Sequence, residues 1–149
     1  MGISSRSNSK KGRGVRWCID YRKLNKVTKK DVYPLPCIEE CLDTLGGNTW
    51  FSKLDANSAY WQIRLKKEDR DKTAFVTKYG LYEFVRMGFG LCNAPATFSR
   101  VMNLVLRGLT WDIALAFLDD VVVLGTSFSD HLENLGKVLE RFKVSKLKL

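Results

Sequence analysis

Histidine occurs once in this chain, at position 131, and proline only three times. The four cysteines, Cys18, Cys37, Cys41 and Cys92, include no Cys-x-x-Cys pair, and one distant imidazole cannot complete a zinc knuckle. Cys37 and Cys41, spaced i, i+4 on an expected helix, read as small apolar residues. No apolar run approaches the length of a membrane span, and no internal repeat is visible. Acidic residues are missing from the first nineteen positions, which carry Arg6, Lys10, Lys11, Arg13 and Arg16. The first ten residues are Ser-rich and basic. Organelle transit peptides share that composition, but it reads here as a flexible tail. Arg6 stands where a myristoylation signal needs Ser or Thr. With no signal-peptide pattern, reduced thiols in an intracellular compartment are expected.

What is present is a strong positive balance. The 149 residues carry a formal charge of +9, which favours a polyanionic partner, nucleic acid foremost. The length suits one domain with a core of its own, or two small lobes sharing one.

Two adjacent aspartates, Asp119 and Asp120, sit between Ala116-Phe117-Leu118 and Val121-Val122-Val123-Leu124. Short apolar runs on either side of a polar pair predict a β-hairpin with the carboxylates at its tip. Asp-Asp is also an ordinary turn dipeptide. Its meaning changes with Asp55, at the end of the strand-like run Trp50-Phe51-Ser52-Lys53-Leu54. If those strands are neighbours, three carboxylates converge. Hard oxygen ligands of that kind suit Mg²⁺ or Mn²⁺, and two such ions support phosphoryl transfer.

Elsewhere the pattern predicts a strand over 15–20 and a helical turn over 22–26. An extended linker through Pro34 and Pro36 follows, then a helix over 38–45 stopped by Gly46-Gly47. Strands are expected over 50–54 and 61–65, a solvated connection over 66–72, and a hairpin from 73–77 and 81–87. Ala94-Pro95 opens a helix to 106, and a last helix covers about 130–147. Intermixed helices and antiparallel hairpins predict an α+β fold.

From about Val15 onward the chain resembles the reverse transcriptases of gypsy-type long-terminal-repeat retrotransposons. The matching pieces, in order, are Arg16-Trp17-Cys18-Ile19-Asp20-Tyr21-Arg22-Lys23-Leu24-Asn25, Tyr33-Pro34-Leu35-Pro36, Leu54-Asp55-Ala56 with Ala59-Tyr60, and Lys72-Thr73-Ala74-Phe75. Then come Met87-Gly88-Phe89-Gly90-Leu91, Asn93-Ala94-Pro95-Ala96-Thr97-Phe98 and Phe117-Leu118-Asp119-Asp120.

The resemblance implies the fingers and palm of a right-hand polymerase, with an antiparallel palm sheet packed on helices and no thumb. A basic tail would cover 1–14 and the reverse transcriptase domain 15–149. Fingers would lie at about 15–30 and 65–93, palm at about 31–64 and 94–149. It implies template-directed transfer of a deoxynucleotide to a primer 3′ hydroxyl, with two Mg²⁺ ions (Mn²⁺ as substitute). Asp55, Asp119 and Asp120 would be catalytic metal ligands. Arg16, the Ala56 amide, Tyr60, Phe89 and Gly90 would contact the nucleotide, with Tyr60 excluding a 2′ hydroxyl. Asn93, Pro95 and Phe98 would shape the supporting helix. Phe117 stands where many members carry Tyr, and Leu124-Gly125-Thr126-Ser127 departs from the usual sequence after the hairpin. Partners would be an RNA or DNA template with its primer, deoxynucleoside triphosphates and further polyprotein domains, with no membrane.

The family continues past the palm helix into primer grip, thumb, connection and ribonuclease H. Two readings therefore stay open: a polymerase core, or a truncated, non-catalytic retroelement relic that at most binds nucleic acid.

Overall fold

The computed structural model describes residues 19–34 and 36–149. Helices α1 (Arg22–Val27) and α2 (Ile38–Leu45) fall where the sequence places them. The central feature is a three-stranded antiparallel sheet of β1 (Trp50–Asp55), β4 (Ala114–Phe117) and β5 (Asp120–Gly125). Its order is β1-β5-β4, so the strand that begins at Asp120 lies in the middle. Trp50 pairs with Gly125 and Asp55 with Asp120, while Phe117 faces Asp120 from the other side.

Period-two alternation separates the two faces of this sheet. Val121, Val123 and Ala114 point into a core with Phe98 and Met102 of α4 (Ala94–Val105) and Val138 and Phe142 of α5 (Phe128–Val144). On the opposite face, α2 and the sheet frame an open apolar groove of about 480 Å³, between Ile38, Leu42, Phe51 and Phe117.

The close seating of α5 on β5 depends on Gly125. A Cβ there would stand 2.5 Å from the Cβ of His131. The buried His131 then bonds Ser52 Oγ of β1 through Nε2 at 2.8 Å. The start of α5 is capped reciprocally. The Asp130 amide donates to Ser127 Oγ at 3.2 Å, and the Asp130 carboxylate accepts from the Thr126 amide at 2.8 Å.

That amide is the main reason the Asp130 carboxyl is held below its ordinary value of 3.8, with the Thr126 hydroxyl second. The resulting stabilisation is fully present above the unfolded value and is lost as pH falls through the lower folded one. Urea midpoints are therefore expected to drop on acidification from about pH 5 to about pH 3. Asp130→Asn should start less stable and fall less steeply over that interval. Equal acid slopes would show that the cap contributes nothing to the pH dependence.

Three expectations are corrected here. The 61–65 run does not make a regular strand. A 3₁₀ turn covers Ala59–Gln62, and Arg64 makes only an isolated bridge to Arg86. Aromatic packing dominates this segment: Trp61 meets Phe84 at 5.2 Å between ring centroids, and Tyr60 meets Phe98 at 5.9 Å. The 66–72 connection is folded, as α3 (Lys67–Arg70) and a 3₁₀ turn (Asp71–Thr73) pinned by the Lys72–Asp69 ion pair. The following hairpin is shorter than expected, with β2 (Phe75–Thr77) pairing β3 (Gly80–Tyr82). Most of the 15–20 strand lies outside the described residues, and Ile19 and Asp20 are irregular.

The linker after α1 is clamped to α4. The Asp31 amide donates to Asn93 Oδ1 at 3.0 Å, and the Arg100 guanidinium donates to both Asp31 oxygens, at 3.0 and 2.8 Å. Asn93, Pro95 near the start of α4 and the fully buried Phe98 thus have the structural parts the sequence suggests.

Candidate active site

Asp55 and Asp120 are directly opposed across β1 and β5. Opposed residues of an antiparallel pair project from one face with Cβ atoms about 4.5–5.5 Å apart. Asp119 occupies the turn between β4 and β5 beside Leu118, whose φ of 57° is uncommon for a residue with a Cβ. The hairpin tip is tied to the end of β1 by the Ala56 amide, which donates to the Asp119 carbonyl at 3.3 Å. All three carboxylates reach solvent, Asp55 most openly.

The Ala56 amide thus closes the sheet end, and its side chain is buried. The chain turns away over the next two residues, with Ser58 in the left-handed region at φ 52°.

Lys53, two residues before Asp55 on the same face of β1, places Nζ 2.8 Å from Asp120 Oδ2. Its pKa is raised, first by the hydrogen bond to Asp120 and then by that carboxylate's charge, with Asp55 and Asp119 adding to the effect. The three acids therefore share one positive charge. Among the described residues, no three carboxylate, thiol or imidazole groups stand together as a ready metal cage.

Beside the carboxylates opens a cleft of about 880 Å³, lined by Asp55, Asn57, Ser58, Trp61 and Phe89, with Tyr21 at its edge. Tyr60 lies against Phe89 at 5.3 Å between centroids. Burial pushes the Tyr60 phenol up, with a smaller push from the Asp119 charge. Phe89 remains 54% exposed, so one side of this aromatic pair is open to a ligand. Gly90 has φ 92°, and a Cβ there would meet Tyr21 at 3.4 Å. Asn25 holds this loop from both sides, donating to the Gly90 carbonyl at 2.8 Å and accepting from the Cys92 amide at 3.0 Å. Gly90 thus shapes the loop that presents Phe89.

The structure brings together Asp55, Asp119, Asp120, Tyr60 and Phe89 around one end of the sheet. Arg16 lies outside the described residues. Sequence reasoning missed Lys53 and Tyr21. For Lys53 the signal was available, because strand alternation puts residue 53 on the face of residue 55. Tyr21 lines the cleft from more than thirty positions before Asp55; burial, which leaves the residue 3% exposed, pushes its phenol up to about 12.

The chain is similar to proteins of one family. Residues 8–149 match the model for reverse transcriptase (RNA-dependent DNA polymerase). An RNA-directed DNA polymerase homolog of Oenothera berteroana is 46% identical over 85% of this chain and 91% of its own length. The retrovirus-related Pol polyprotein from transposon 297 of Drosophila melanogaster is 45% identical over 90% of this chain, which spans only 13% of that polyprotein. Among solved structures, the foamy viral protease–reverse transcriptase in complex with double-stranded DNA shares the fold. Its TM-score is 0.80 at 23% identity, over 91% of this chain and 24% of that one. The same viral enzyme with an RNA/DNA hybrid gives a TM-score of 0.77 at 23% identity, over 86% of this chain and 17% of that one. The chain belongs to the reverse transcriptase family.

Proposed function

We propose that the chain is the fingers-and-palm core of a gypsy-type RNA-directed DNA polymerase, extending a primer 3′ hydroxyl with deoxynucleoside triphosphates on a template. The observation that carries this reading is the pairing of Asp55 with Asp120, with Asp119 tied to the same sheet end through the Ala56 amide. An aromatic-walled cleft opens beside them.

The donor set fits hard divalent cations. All three side chains offer carboxylate oxygens, and the place they enclose already holds a positive charge, the Lys53 ammonium. Asp55 and Asp119 would be the principal ligands, and Asp120 a supporting one. Bound Mg²⁺ or Mn²⁺ would supply Lewis acidity for the attacking hydroxyl and charge neutralisation for the departing pyrophosphate. The chain's own residues do the positioning. The β4–β5 turn and the end of β1 carry the carboxylates, and Tyr60 and Phe89, packed edge to face, offer apolar ring surface to a sugar and base.

Tyr60 is backed by the buried Phe98, so its ring cannot retreat from a bulkier sugar. Tyr60→Val is expected to raise the use of ribonucleotides relative to deoxynucleotides roughly tenfold to a hundredfold, the usual range for one steric group in a pocket. Competitive incorporation assays measure this ratio. An unchanged ratio would make Tyr60 a packing residue only.

Primer extension on an RNA template with Mg²⁺ or Mn²⁺ tests the proposal as a whole. Product that depends on metal and on Asp119 supports it. No product above an Asp119→Asn control would favour the relic reading.

A further inference from the structure

We propose that Lys53 is a built-in counter-cation that occupies the carboxylate cluster in the metal-free protein and must be displaced when divalent metal binds. The inference rests on the metal-binding reading of Asp55, Asp119 and Asp120 and adds a regulating residue to it.

Three aspartates gathered at one sheet end repel one another, and the metal-free chain needs something to offset that repulsion. Among the described residues, Lys53 is the one side chain seen to do so. Its ammonium is 2.8 Å from Asp120 Oδ2. It reaches there because β-strand alternation sets it on the same face as Asp55, and because Asp55 and Asp120 are in register. The charges of Asp55 and Asp119 act on it as well.

The lysine is 65% exposed and, among the described residues, held only by this pair. It can therefore swing into solvent without disturbing the core. An ammonium at the cluster and a divalent ion at the same oxygens are mutually exclusive by charge.

Competition of this kind weakens metal affinity, so removing the competitor should strengthen it. The full chain is titrated with Mn²⁺ and free ion is followed by electron paramagnetic resonance, with no nucleotide or primer present. Lys53→Met is expected to bind Mn²⁺ roughly three- to tenfold more tightly than the parent at low ionic strength. High salt, which screens an exposed pair, should narrow the difference. Lys53→Arg keeps the competing charge and should bind like the parent. Lys137→Met, removing an equal charge paired with Glu133 on α5, should leave affinity unchanged.

Equal or weaker Mn²⁺ binding by a folded Lys53→Met protein would overturn the inference while leaving the metal site standing. Lys53→Gln provides the same comparison if the methionine variant does not fold. A parent chain showing no Mn²⁺ binding that Asp119→Asn removes would overturn the metal reading itself, and this inference with it.

Discussion

Asp119→Asn is expected to lower metal-dependent primer extension by about three orders of magnitude, the scale on which a site loses a group stabilising transition-state charge. The amide keeps the size of the carboxylate but removes its charge. Asp119 sits in the turn, partly open to solvent, and its link to β1 runs through the backbone carbonyl that accepts from the Ala56 amide. The substitution leaves that carbonyl in place, so the melting temperature should move little. Asp120→Asn should behave differently. It deprives Lys53 of its partner and removes only a supporting carboxylate, so its catalytic loss should be smaller. Extension assays paired with thermal melts separate the two. A variant that loses activity only by unfolding would remove Asp119 from the chemistry.

Phe98→Ala is expected to have the largest effect on stability, about 3–5 kcal/mol for truncating a core aromatic. Phe98 is 0% exposed, on the core face of α4, and packs edge-on to Tyr60. The cavity would lie behind Tyr60, which packs against the cleft-lining Phe89, so a structural fault becomes a functional one. In a domain of this size the melting temperature should fall by roughly 10 °C. Nucleotide selection should also loosen below that transition, because the Tyr60 ring loses its backing. A shift of only a degree or two would mean that α4 is not the keystone of this core.

The helices and the hairpin were readable because their signals are local. Apolar spacing over 94–106 and about 130–147, Gly46-Gly47 after α2 and the Asp119-Asp120 break each act within a few residues, although the last helix runs over Phe128–Val144. The pairing of Asp55 with Asp120 could be anticipated only from the ordered motifs of a known family, because strand adjacency is set by the whole sheet. The 61–65 segment misled because Trp61 and Ile63 alternate like a strand while their packing partners, Phe84 and the 85–87 backbone, lie more than twenty residues away. Contacts between side chains and distant backbone were invisible for the same reason: Asn25 to Gly90, His131 to Ser52 and the Ala56 amide to the Asp119 carbonyl. Lys53 was overlooked for its ordinariness. A lysine on a strand of a basic protein attracts attention only once its neighbours are known.

The central claim is that the end of the β1–β5–β4 sheet carries out template-directed nucleotide transfer. Single-nucleotide addition to a primer on an RNA template tests it most directly, with each of the four deoxynucleotides offered separately in Mg²⁺. The account predicts addition of the complementary nucleotide alone, and its loss when Asp119 is replaced by Asn. Addition that ignores the template base, or that survives Asp119→Asn, would contradict it.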